Sequence, residues 1–98
     1  MSYVFYDTES HGYLEVPWVE IVDLGLEEKI SRYSYMNRRT DPEHAKVYLE
    51  EDYDLGLFLK KKRIDFEDLD YKVEYVKSWY FDPVGMNYPF YLYSHVTP

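Results

Sequence analysis

Ninety-eight residues suffice for one domain with a modest core, residues 1–98 read as a unit, and a hydrophobic content of 46% excludes a disordered acidic tail. With 19 acidic against 11 basic residues the net charge is −8, which disfavours direct contact with nucleic acid or anionic membrane and favours basic protein surfaces. The chain has no cysteine, which removes disulfides, thiolate zinc sites and thiol nucleophiles, and no apolar run near the ~20 residues of a membrane helix.

Residues 3–7 are rich in β-formers and predict a strand, as do residues 13–16; Ser10-His11-Gly12 between them supplies turn chemistry for a hairpin. Pro17 suits the first turn of a short helix in which Trp18, Ile21, Val22 and Leu24 give helical spacing, with Gly25 as C-cap. The Tyr33/Tyr35 alternation predicts a strand over 30–36, followed by a polar loop over 37–43. Residues 46–50 resume as a strand with Val47 and Leu49 on one face and Tyr48 on the other.

A second helix is predicted from near Asp52, where Leu55, Phe58 and Leu59 make an apolar stripe. Its acidic start and its basic end (Lys60, Lys61, Lys62, Arg63) complement the helix macrodipole. Residues 71–79 alternate as a half-buried strand, 81–87 form a turn region, and 88–96 make the last strand. The order β-β-α-β-β-α-β-β predicts an α+β fold: an antiparallel sheet of five to six strands with two short helices on one face.

The acids fall in two runs. Glu50, Glu51, Asp52 and Asp54 surround the start of the second helix, where Asp52 or Asp54 is expected to act as its cap. A calcium loop counted from Asp52 would end at Arg63 instead of the bidentate glutamate it requires, so no metal site is expected. Asp65, Glu67, Asp68 and Asp70 form the second run, in a connecting segment. Both runs are candidates for contact with a basic groove, as a mimic of nucleic-acid phosphates, although Lys60 to Arg63 lie between them.

His11, His44 and His95 lack the pairing of a zinc site, and no serine lies in a Gly-x-Ser-x-Gly elbow. The only acid–base grouping available is Asp7/His11/Glu15 at the hairpin, and the isolated glycines offer no phosphate loop. Neither a cofactor nor an enzymatic activity is expected. Thirteen tyrosines instead suit protein contact, since each gives rigid area with a polar tip. Tyr3, Phe5, Tyr71, Tyr75 and Phe90 are expected in the core. Tyr6, Tyr33, Tyr35, Tyr48, Tyr91 and Tyr93 lie on the opposite sheet face, and Tyr91 and Tyr93 are the leading candidates for aromatic anchors.

The segment Ser10-His11-Gly12-Tyr13-Leu14-Glu15-Val16-Pro17, then Ile30-Ser31 to Ser34-Tyr35, and then Tyr48-Leu49-Glu50-Glu51-Asp52 with Asp54 and Phe58 resemble a group of small proteins carried by bacteriophages and mobile elements. The resemblance covers roughly residues 3 to 60, with Tyr53 standing where a small residue is expected. It implies a context, the cytoplasm of a bacterial host, and no chemistry. The expectation is a protein that binds and inhibits a nucleic-acid-handling defence complex, of the anti-CRISPR or anti-restriction kind. Its partner would be a bacterial protein or ribonucleoprotein with a basic surface, without direct nucleic-acid or membrane contact. A homodimer through an aromatic sheet face is the alternative.

Overall fold

A computed structural model describes residues 3–8, 11–31, 33–36, 44–76 and 94–95. The elements are β1 (Tyr3–Asp7), β2 (Gly12–Pro17), α1 (Trp18–Asp23), β3 (Tyr35–Met36), β4 (Lys46–Glu50), α2 (Asp54–Lys62), a 3-10 turn (Phe66–Asp68), β5 (Tyr71–Tyr75) and β6 (Ser94–His95). The fold is α+β. Its sheet runs in the order β5-β1-β2-β4-β3-β6.

The sheet is mixed, and the expectation of a purely antiparallel one is corrected: β1 and β5 are parallel, with Tyr3 opposite Tyr71 and Asp7 opposite Tyr75. The reason lies in the connection. A helix between two strands returns the chain to the end where it began, so β5 runs in the same direction as β4 and β1.

Strand alternation sorts the side chains into two layers. Tyr3 and Phe5 of β1, Leu14 and Val16 of β2, and Val47 and Leu49 of β4 share one core with Ile21 of α1 and Leu55, Phe58 and Leu59 of α2. Leu14, Val16, Ile21, Val47, Leu49 and Phe58 are fully buried, each contributing about 1.5–3 kcal/mol. On the opposite face Tyr13 and Tyr48 form a second, smaller cluster, against which Tyr6, Tyr35 and Val76 pack.

Both helices are too short to persist alone and are held by packing and by their ends. The Trp18 amide donates to the Ala45 carbonyl at 2.9 Å, fixing the start of α1 to the segment before β4. After α1 the chain passes through Gly25 at φ 70°, and the Gly25 and Leu26 amides close onto Val22 and Ile21. The same closure ends α2, where Arg63 adopts φ 61° and the Arg63 and Ile64 amides donate to Lys60 and Leu59. Arginine there carries a Cβ in a conformation that normally favours glycine.

Three further expectations are corrected. The strand predicted over 30–36 is reduced to Tyr35–Met36, because Ser31 and Ser34 bond to a buried carboxylate instead of a ladder. Tyr75, expected in the core, is 80% exposed at the end of the outlying strand β5. Neither Asp52 nor Asp54 caps α2; the side chain of Glu50 does so from the end of β4. The loop over 37–43, the turn over 81–87, residues 77–79, Phe90, Tyr91 and Tyr93 lie outside the described residues. Among those described, no helix is long and apolar enough to cross a membrane.

Candidate functional site

The first acidic run divides into inward and outward members. Glu50 is buried, and its carboxylate accepts the amides of Asp52 at 2.8 Å, Tyr53 at 2.6 Å and Asp54 at 3.0 Å. These are the amides that an α-helix leaves unsatisfied at its start, and a carboxylate there also meets the positive helix end. Asp54 is wholly buried. It accepts the Ser31 amide at 3.0 Å, the Ser31 hydroxyl at 2.7 Å and the Ser34 hydroxyl. The Ser34 oxygen in turn accepts the Glu50 amide at 3.0 Å, which joins β4, α2 and the 31–34 segment in one network. Glu50 and Asp54 are therefore corrected from contact residues to internal anchors. Glu51 and Asp52, between them, are exposed.

The second run lies wholly on the surface: Asp65, Glu67, Asp68 and Asp70 are all exposed. Its shape comes from two apolar anchors. Phe66 packs edge-on against Tyr71 at 4.9 Å and Phe5 at 5.9 Å between ring centroids, and Leu69 is buried. The i, i+3 spacing of Phe66 and Leu69 leaves the intervening Glu67 and Asp68 facing outward.

Asp68 and Asp70 line a groove of about 480 Å³ together with Glu20 and Asp23 of α1. Lys62, at the end of α2, enters the same groove and its Nζ lies 2.6 Å from Glu20 Oε2, while the Tyr3 hydroxyl donates to both Glu20 oxygens at 2.8 Å. Burial and then the Glu20 bond push the Tyr3 hydroxyl up; the Glu20 bond also holds Lys62 above its ordinary value. Lys62 thus stays protonated and balances Glu20, and Asp23, Asp68 and Asp70 supply the groove's exposed negative charge. Glu20 and Asp23 were missed in the sequence, although their i, i+3 spacing on either side of the inward Ile21 was a usable signal.

The two acidic patches do not merge. Glu51 and Asp52 precede the start of α2, and Asp65 to Asp70 follow its end, with a helix of nine residues, about 13 Å, between them. Lys60, Lys61 and Arg63 line a separate groove with Leu26, Lys29 and Leu57. The charge is arranged as separate patches, not as one phosphate-like row.

A third concavity, of about 410 Å³, lies beside the first patch. Tyr13, Tyr33, Tyr35 and Tyr53 line it with His11, Glu50 and Asp52. Tyr33 and Tyr53 are 64% and 61% exposed.

The hairpin acid–base grouping does not form. Asp7 shares a sheet face with Tyr3 and Phe5, whereas Glu15 lies on the other face, in register with Tyr48. Burial pushes the Glu15 carboxyl up against the opposing pull of Lys46 and of the Tyr48 and Tyr6 hydroxyls. Among the described residues no cluster of three His, Asp or Glu side chains could hold a metal ion.

Comparison with protein-family models, curated proteins and solved structures gives no match.

Proposed function

We propose that this chain is a binding protein that occupies a basic surface on a bacterial nucleic-acid-handling complex, acting as a phage-type inhibitor of defence. The observation that supports this reading is the groove in which exposed Asp23, Asp68 and Asp70 converge from α1 and the turn before β5. Such a concavity focuses negative potential and attracts Lys- and Arg-rich surfaces, of the kind that otherwise hold phosphates. Contacts are assigned to Glu51 and Asp52 at one end of α2 and to Asp65, Glu67, Asp68 and Asp70 at the other. The homodimer reading draws less support, because Tyr13 and Tyr48 of the aromatic sheet face are already buried within one chain.

The test is affinity capture from bacterial lysate after nuclease treatment, using the native chain and the Asp68→Lys/Asp70→Lys variant in parallel. One near-stoichiometric nucleic-acid-handling protein is expected with the native chain, released by raised salt and lost with the variant. Equal recovery by both chains, or recovery of the bait alone, overturns the proposal.

A further inference from the structure

We infer that the concavity lined by Tyr13, Tyr33, Tyr35, Tyr53 and Asp52 is a receptor for one arginine side chain of the protein partner. This deepens the proposed function and rests on it for the partner being a basic protein; the pocket itself is testable without any partner.

Tyr13 and Tyr35 meet at 6.3 Å between ring centroids with their planes inclined at 70°, so two aromatic surfaces form a corner. Tyr13 comes from β2 and Tyr35 from β3, and each is fixed by pairing with the intervening strand β4: Tyr13 opposite Glu50, Tyr35 opposite Tyr48. That corner is rigid. Tyr33 and Tyr53, both mostly exposed, come from the turn before β3 and the residue before α2. Four tyrosines from three different parts of the chain thus line one cavity of about 410 Å³, which has room for a long side chain.

Its described lining residues include the carboxylates of Glu50 and Asp52 and the imidazole of His11, and no lysine or arginine. Glu50 is committed to three amides, which leaves the exposed Asp52 as the carboxylate able to meet a ligand. The Tyr13 hydroxyl is pushed up to about 12 by burial first and then by Tyr35, Glu50 and Glu51. Aromatic faces with a carboxylate alongside attract organic cations through the ring quadrupole. Among cations, guanidinium fits best. It is planar, stacks on an aromatic face, and presents paired N–H groups to a carboxylate, whereas an ammonium is a compact and more strongly hydrated point charge.

The experiment is an NMR titration of the purified chain, following tyrosine ring resonances, with N-acetyl-arginine methylamide as probe. N-acetyl-lysine methylamide and tetramethylammonium serve as competitors of the same charge. Saturable shifts with the arginine probe are expected, with weaker binding of both competitors. Tyr33→Ala and Tyr53→Ala, at exposed positions, should each weaken the arginine probe by about threefold to tenfold, and Asp52→Asn by a similar factor. Asp68→Lys/Asp70→Lys, in the other groove, should leave probe binding unchanged, which separates this inference from the proposed function. Absence of saturable shifts, equal or tighter binding of either competitor, or unaltered affinity in all three pocket variants overturns it.

Discussion

Replacing Asp54 by alanine should be among the most damaging changes available to this fold, although the residue belongs to a run of acids that reads as surface. The carboxylate takes three donors: the amide and hydroxyl of Ser31 and the hydroxyl of Ser34. Ser34 is fully buried, so its hydroxyl would be left without water, at a cost of about 1–3 kcal/mol; hydrogen bonds from half-buried Ser31 to a charged group add about 1.5 kcal/mol or more. A total of about 3–5 kcal/mol follows, against the 5–15 kcal/mol that typically holds a domain together. For a chain of 98 residues this corresponds to a fall in Tm of roughly 15–30 °C.

Urea unfolding monitored by circular dichroism measures it. A double-mutant cycle with Ser34→Ala then tests the network itself. Ser34→Ala removes the same bond to Asp54 and also strips the Glu50 amide of its acceptor, so the two losses overlap. The double variant should fall short of the sum of the singles by about 0.5–3 kcal/mol. A loss under about 1 kcal/mol for Asp54→Ala, or strict additivity with Ser34→Ala, would refute the reasoning.

Glu50→Lys should unfold or strongly destabilise the chain by setting a cation against three helix-start amides, whereas Glu51→Lys, one residue on, should shift the urea midpoint little. Gly12→Ala should cost about 1–3 kcal/mol, because a Cβ there would run into the Phe5 ring and lie 2.8 Å from Glu51 Oε2; the same urea assay reads it. Arg63→Gly should stabilise by about 0.5–1.5 kcal/mol by relieving the left-handed conformation that ends α2, seen as a higher Tm. Burial pushes Tyr6 and Tyr13 from 10 to about 12, so the folded chain retains protons that the unfolded chain has lost. Their contribution is complete below pH 10 and disappears as pH rises through 12, by at most about 2.7 kcal/mol for buried Tyr13. Equal urea midpoints at about pH 9 and about pH 11.5 would contradict this.

The periodic features of this chain were legible in its sequence. Richness in β-formers around a turn located β1 and β2, period-two alternation located β4, and the Leu55/Phe58/Leu59 stripe located the inward face of α2. Gly25 marks the end of α1 because a left-handed residue is needed there. The failures share a cause, which is contact between residues distant in the chain. Local alternation around Tyr33 and Tyr35 suggested a longer strand, but Asp54, 23 residues beyond Ser31, draws Ser31 and Ser34 into a turn. No local pattern told that β5 would join the far edge of the sheet beside β1, where Tyr75 is left exposed. Of the candidate site, the second acidic run was legible as surface; its convergence with Asp23 of α1 was not, since it depends on how α1 and α2 pack.

The acids around α2 show why charge density in a sequence is a poor guide to charge on a surface. Glu50, Glu51, Asp52 and Asp54 sit within five positions, and a count gives four negative charges at one helix start. Two of the four are turned inward, each accepting three donors, and their removal would expose unsatisfied amides and hydroxyls instead of weakening a contact. Their work is to fix where the other side chains stand. Glu50 holds the turn that presents Asp52 and Tyr53, and Asp54 holds the segment that carries Tyr33 and leads into Tyr35. The buried pair thus shapes the cavity in which the exposed pair's negative potential acts. A loss of binding on mutating Glu50 or Asp54 would report collapse of that geometry; of the four acids at this helix start, Glu51 and Asp52 are the two that can report electrostatic contact.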